Sequence, residues 1–400
     1  MIIRIGERKI FAIPRIGFLE FFLPIYSILI YYTLPIGGSI GQIILFSYTI
    51  IYIMLHRNIK YKIPKWLFVF TLFIIPVQLA VFNQIGGFNS SRLVNLLMII
   101  VYLMLLSIFK VDIDGLMYVY KVIAAVASLL IIVQFIQIYF GGQVVHQIML
   151  FSFERSELWY QEGLRPQGLF PEPQAYATFI LPLLVLCLMK KEYAWSLFLT
   201  FSILLSTSTL GMICSLGVWS IYVLTSTISL KKKIIVIVIL LAVVACVITL
   251  PIFDYTMQKL LRTDFLHNVR LTRGFTIYTQ LPWDNKIFGI GVNNLEYCQE
   301  VGLIELNDYI SRVMRNPSYI TTASELLINY GLIAAIIYAG MLINFFKNSE
   351  LRLMVVLLFV LSFAQTILFS GVWFLFVIII VSTLREEGNA FLQLSNEGRI

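Results

Sequence analysis

The sequence predicts an all-α polytopic membrane protein, with about 12 transmembrane helices in a single integral membrane domain over residues 1–400 and a large extracytoplasmic loop late in the chain. Three observations predict it. Hydrophobic residues make up 60% of the chain and charged ones 12%, where soluble domains run about 45–50% and about 25%. The apolar residues gather into stretches close to the roughly 20 residues that cross a bilayer as a helix. Lysine and arginine crowd alternate connections and are nearly absent from the others.

The predicted spans lie near 18–36, 39–55, 66–82, 93–109, 116–140, 173–189, 193–206, 209–229, 234–252, 321–346, 351–369 and 371–384. A membrane barrel would instead alternate apolar and polar residues over short strands. Arg4, Glu7, Arg8, Lys9 and Arg15 precede the first span without an apolar leader or a small-residue cleavage site. The first span is therefore expected to act as the insertion signal. No repeat of fixed period and no second soluble domain is visible. Cys187, Cys214 and Cys246 lie in apolar runs and Cys298 sits alone in a loop, so neither a disulfide frame nor a metal site is expected. The net charge of +8 would suggest nucleic acid in a soluble chain. Here it belongs to cytoplasmic loops, which are basic in membrane proteins, and no nucleic-acid partner is expected.

Orientation follows from the short connections. One set holds Arg57, Lys60, Lys62, Lys65, Lys110, Lys190, Lys191, Lys231, Lys232, Lys233, Lys347 and Arg352, while the alternate set holds only Arg92. The basic set is cytoplasmic by the positive-inside rule, and both termini fall with it. Two longer polar loops, 141–172 and 253–320, then face outward.

The outward segments carry eight arginines and two lysines, against seven and twelve for the rest of the chain. Arginine presents a planar fork that grips phosphate in pairs of hydrogen bonds and keeps its charge in a dry setting. Loop 253–320 balances seven basic against seven acidic residues, so pairing with outer acids is the competing explanation. Yet 259–273 sets Lys259, Arg262, Arg270 and Arg273 against Asp264 alone. On one helix, positions 262, 266, 270 and 273 share a face. Phosphate or pyrophosphate binding is therefore expected of Arg262, Arg270 and Arg273. His267 is the one outward histidine of the large loop, with no triad partner in view.

Three motifs stand out. In Arg165-Pro-Gln-Gly-Leu-Phe-Pro-Glu-Pro-Gln-Ala-Tyr-Ala177, Gly168 permits a tight turn and Pro173 suits the first turn of the sixth span. Glu172 would stand at that helix N-terminus, either complementing its dipole or facing a substrate. Phe288-Gly-Ile-Gly-Val-Asn-Asn294 is a glycine turn, with no strand–helix unit to make it a dinucleotide fingerprint. Asn316-Pro-Ser-Tyr-Ile-Thr-Thr-Ala-Ser-Glu-Leu-Leu-Ile-Asn-Tyr-Gly331 leads into the tenth span. It places Glu325 about a turn inside an apolar helix, where an ionisable group is costly and a functional candidate. The local alternative is a Thr322-x-x-Glu325 capping box. Tyr319 and Tyr330 read as interfacial aromatics.

These motifs, in this order, resemble the Wzy-type polysaccharide polymerases and their relatives, the O-antigen ligases. The resemblance rests on Arg165, Gly168, Phe170 and Pro173, on Phe288, Gly289 and Gly291, and on Glu325 and Gly331. It extends in layout over roughly 90–385. Ligases of this group often carry a histidine ahead of the glutamate-bearing span, where this chain has Asn316-Pro317-Ser318, which favours polymerase. The resemblance implies a metal-independent, GT-C-like glycosyltransferase without cofactor in the bacterial cytoplasmic (inner) membrane. Its substrates would be undecaprenyl-pyrophosphate-linked oligosaccharides in the bilayer, its further partners a chain-length regulator and a flippase. Arg165, Arg270 and Arg273, with Arg262, Arg312 and Arg315 behind them, would stabilise the leaving pyrophosphate. Glu325, with Glu172 second, would take the acceptor proton.

Overall fold

The computed structural model describes residues 2–5, 8–12, 16–34, 38–56, 64–84, 90–141, 165–226, 269–305 and 320–396, with scattered positions between 229 and 242. The described chain is predominantly helical. Two short antiparallel hairpins, β1 (Ile2–Ile5) with β2 (Arg8–Ala12) and β3 (Thr33–Leu34) with β4 (Gly38–Ser39), depart from the all-α expectation. In chain order the helices begin with α1 (Phe18–Leu29), α2 (Ile40–Leu55), α3 (Lys65–Gln84), α4 (Ser90–Ile108) and α5 (Ile113–Tyr139). Then come α6 (Pro173–Met189), α7 (Tyr193–Leu205), α8 (Thr209–Thr225), α9 (Val269–Gln280), α10 (Trp283–Phe288) and α11 (Leu295–Glu300). The last are α12 (Thr322–Glu325), a π-helical turn (Leu326–Tyr330), α13 (Gly331–Phe346), α14 (Arg352–Ala364) and α15 (Gly371–Asn396).

Each expected span within the described residues coincides with a helix. The expected span 234–252 lies almost wholly outside them. Among the described residues, two helical stretches, Ile113–Tyr139 and Thr322–Phe346, are long and apolar enough to cross a membrane, and nine more apolar helices are shorter. A helical protein with membrane-type apolar helices is thus what the chain forms.

The chain divides into two compact units. The first gathers 1–32, 110–261 and 375–400. Its centre is α6, buried on all faces from Ala175 to Leu188, as a helix apolar all round must be. Helices α5, α7 and α8 pack on α6, and α1 packs on α5. Gly211 of α8 permits the close approach, since a Cβ there would stand 2.5 Å from Ala177 Cβ. Among these apolar faces the hydroxyls of Ser128, Tyr176 and Ser202 bond one another at 2.7–3.2 Å. Such mutual pairing is how polar groups persist where water is scarce. Lys121, an apparent charge inside a span, is paired with Glu192 at the cap of α7.

The second unit gathers 33–109 and 262–374. Here α3 packs on α13, and α2 on α4. Helices α9 to α11 share a small apolar core with the start of the broken span, built from Ile277, Leu281, Ile290, Leu295, Cys298, Ile304, Ile320 and Ile328. Cys298 is therefore a core residue rather than a lone loop thiol.

Candidate functional site

The site in the second unit is organised by a break in the span that carries Glu325. After one α-helical turn the backbone widens into the π-turn, and Gly331 then adopts φ +84°, ψ 173°. Only glycine tolerates that region. A break strands the carbonyls of the preceding turn. The Phe288–Val292 loop supplies the missing donors. The Ile290 N–H donates to Ile328 O at 2.8 Å and the Gly291 N–H to Asn329 O at 3.1 Å. Two glycines make this contact fit. A Cβ on Gly289 would stand 2.6 Å from Tyr330 N, and one on Gly331 would stand 2.7 Å from Gly289 N. The glycine turn and the Glu-to-Gly segment, 34 residues apart counting Gly291 to Glu325, are thus one structural element. The glycine turn 288–294 is therefore not a free-standing loop turn, since its N–H groups hold the broken span.

Gln78 of α3 closes the same contact. Its Nε2 donates to Asn329 O at 2.9 Å, and its Oε1 accepts the Val292 N–H at 3.0 Å. The Asn329 side chain lies within reach of the Glu325 carboxyl, four positions earlier on the same broken span. Glu325 Oε2 and Asn329 Oδ1 are both buried with no hydrogen-bond partner among the described residues. Tyr330 is buried and packs edge-on to Phe369 at 5.8 Å, so it is a core aromatic rather than an interfacial one.

The capping expectation is corrected. The N-cap is Thr321, whose side chain accepts from the Ser324 N–H while Ser324 Oγ accepts from the Thr321 N–H. Glu325 takes no part in that cap. Thr322 serves a different purpose: its Oγ1 accepts from the Ile367 N–H at 2.7 Å and donates to Gln365 O at 2.9 Å, fastening the connection between α14 and α15.

Arg273 enters through α9, where it is buried at 4% exposure. The next residue, Gly274, is in contact with Ser324, so α9 lies directly against α12. A buried guanidinium-bearing turn and the glutamate-bearing turn are therefore neighbours in one unit. Arg270 lies on the same helix, three positions earlier.

In the first unit the arginine–glycine–phenylalanine motif forms a turn with Gly168 at φ +59°. Gln134 of α5 holds it, its Oε1 accepting the N–H groups of Gln167 at 2.9 Å and Gly168 at 2.8 Å. Phe170 is fully buried and packs edge-on to Tyr31 and Tyr176. Pro173 opens α6 and Glu172 is its N-cap, exposed and with no side-chain cap bond. Arg165 is half-buried, within electrostatic reach of Tyr139.

Arg262, His267, Arg312, Arg315, Asn316 and Tyr319 lie outside the described residues. Among the described residues no cluster of His, Cys, Asp or Glu is arranged to hold a metal ion. The residues that sequence reasoning missed are Gln78, Gln134 and Asn329. Their signal was available, since a glutamine deep in an apolar helix must find partners for both ends of its amide. No family model, curated protein or solved structure matches the chain.

Proposed function

We propose that this protein polymerises undecaprenyl-pyrophosphate-linked oligosaccharide repeats into a surface polysaccharide at the outer face of the cytoplasmic membrane. In this reading about 12 helices cross the bilayer, both termini are cytoplasmic, and α9 to α11 lie outside. The observation that carries it is the packing of the Arg273 helix, through Gly274, onto Ser324 beside Glu325. A cation able to meet a diphosphate and a carboxylate able to take a proton stand on touching turns. The resemblance to Wzy-type polymerases supports the same roles.

The step is a glycosyl transfer. The acceptor hydroxyl oxygen of one lipid-linked repeat bonds to the anomeric carbon of another lipid-linked chain. The anomeric carbon–oxygen bond to pyrophosphate breaks, and undecaprenyl pyrophosphate leaves with the electron pair. Glu325 receives the hydroxyl proton, with Glu172 the second candidate. In the second unit Arg273 and Arg270 stabilise the charge gathering on the leaving group, where exclusion of water strengthens the attraction.

One feature favours a rival of another class. A discontinuous helix bearing a carboxylate is a device that transporters use, so movement of the same lipid-linked sugars is the second reading. Deleting the gene and resolving the surface glycan on a gel separates them. Loss of a polymerase leaves single repeats, loss of a flippase strands repeats inside, and loss of a ligase leaves long chains on undecaprenyl. Arg273→Lys and Arg270→Lys keep the charge and lose the fork. Full chain length and yield in both variants would remove the pyrophosphate assignment.

A further inference from the structure

We propose that Gln78 is a positioning residue for Glu325, acting through Asn329. Gln78 sits well inside α3, is 9% exposed, and has both ends of its amide committed to backbone. Neither end is committed to its own helix. One end holds the carbonyl of Asn329 and the other holds the N–H of Val292, so a single side chain spans the break and the glycine loop.

The three successive N–H groups of Ile290, Gly291 and Val292 are each satisfied, by Ile328 O, by Asn329 O and by Gln78 Oε1. The loop supplies two of these contacts to the broken span directly, and Gln78 supplies the third together with a second donor to Asn329 O. Two donors on one carbonyl fix that peptide plane more firmly than one. The peptide belongs to the π-turn that directly follows Glu325, and its side chain lies within reach of the Glu325 carboxyl. The relay therefore runs from Gln78 to the Asn329 backbone, and from the π-turn that this backbone fixes to Glu325.

A register error in the π-turn would rotate Asn329 away from Glu325, which lies four positions earlier. Sub-ångström placement of a reacting group governs turnover, and a misplacement of about 1 Å from a remote change can remove roughly 100-fold. Gln78 is not expected to touch substrate. Its effect is on the orientation of the group that does.

The test uses the full chain reconstituted in lipid nanodiscs, with two readouts. Gln78→Met keeps the volume and loses both hydrogen bonds. It is expected to speed amide exchange at residues 290–292 and to lower turnover on lipid-linked repeats by roughly 10- to 100-fold, with KM for the donor little changed. Asn329→Ala is the second variant. It keeps the backbone carbonyl and removes the amide beside Glu325, so turnover should fall comparably while the 290–292 amides stay protected. Unchanged exchange in Gln78→Met, or wild-type turnover in Asn329→Ala, overturns the proposal. The activity arm rests on the polymerase reading and the exchange arm does not. A protein that never elongates repeats yet deprotects 290–292 in Gln78→Met sinks that reading and leaves the Gln78 clamp standing.

Discussion

Gly274 touches Ser324 so closely that a methyl group on the glycine would overlap both Oγ and Cβ of the serine. This contact sets the distance between α9 and the start of the glutamate-bearing span. Gly274→Ala must therefore push α9 outward and take Arg273 with it. Overpacking of this kind costs about 1–3 kcal/mol. Thermal unfolding in detergent should show that loss, and under the proposed polymerase function the glycan should shorten. Phe275→Ala, at an exposed neighbouring position, should stay within about 0.5 kcal/mol of the parent.

Stability and chemistry separate at the next two turns. Thr321 caps α12 and Glu325 does not. Thr321→Ala is expected to lower stability by about 1 kcal/mol, the ordinary value of an N-cap, with turnover retained. Glu325→Gln should do the reverse. The amide conserves shape and removes the proposed base, so on the polymerase reading turnover should drop by roughly 100- to 10,000-fold with little change in unfolding temperature. Wild-type turnover in Glu325→Gln would dismiss the carboxylate from the reaction.

Gln134 gives a sharper discrimination because only its oxygen is used on the motif turn. A carboxylate in its place can still accept both N–H groups, and bonds to a charged acceptor are stronger. Gln134→Glu is therefore expected to keep most activity. Gln134→Met leaves two buried N–H groups unsatisfied, at about 1–3 kcal/mol each, and should loosen the turn that presents Arg165 and Glu172. If the role were packing alone, Met would serve and Glu would fail. Protease sensitivity near residue 165, together with polymer yield, reads the difference.

The helices were largely legible because apolar run length and turn residues are local properties. Pro173 at the first position of α6 and Gly168 at a positive φ follow from their own backbones. The break at 326–331 was not legible in the same way. Nothing in Leu326–Tyr330 alone predicts a π-turn; it is stabilised by N–H groups from Ile290 and Gly291 and by an amide from α3. Pairing of that kind is a tertiary property, and the single-sequence reading therefore saw two separate motifs. Thr322 failed as a cap for a related reason. Its hydroxyl is claimed by the connection at 365–368, 43 or more residues away.

The glycines allow the close contact to be separated from backbone strain. Gly331 and Gly289 combine positive φ values of 84° and 82° with a Cβ position occupied by the facing backbone. Alanine there meets conformational strain of about 1–3 kcal/mol and overlap of about 1–3 kcal/mol. Together these rival a large part of the roughly 5–15 kcal/mol that holds a typical domain folded, so both variants should accumulate poorly. Gly302 has φ +74° with open space around it. Gly302→Ala should show the strain alone, about 1–2 kcal/mol, and accumulate normally. Gly217 lies inside α8 with no positive φ and nothing within 4 Å of its Cβ position. Gly217→Ala should stabilise by about 0.5–1 kcal/mol through helix propensity. Gly289→Ala and Gly331→Ala variants as stable as Gly302→Ala would mean that the glycine loop does not seat against the broken span.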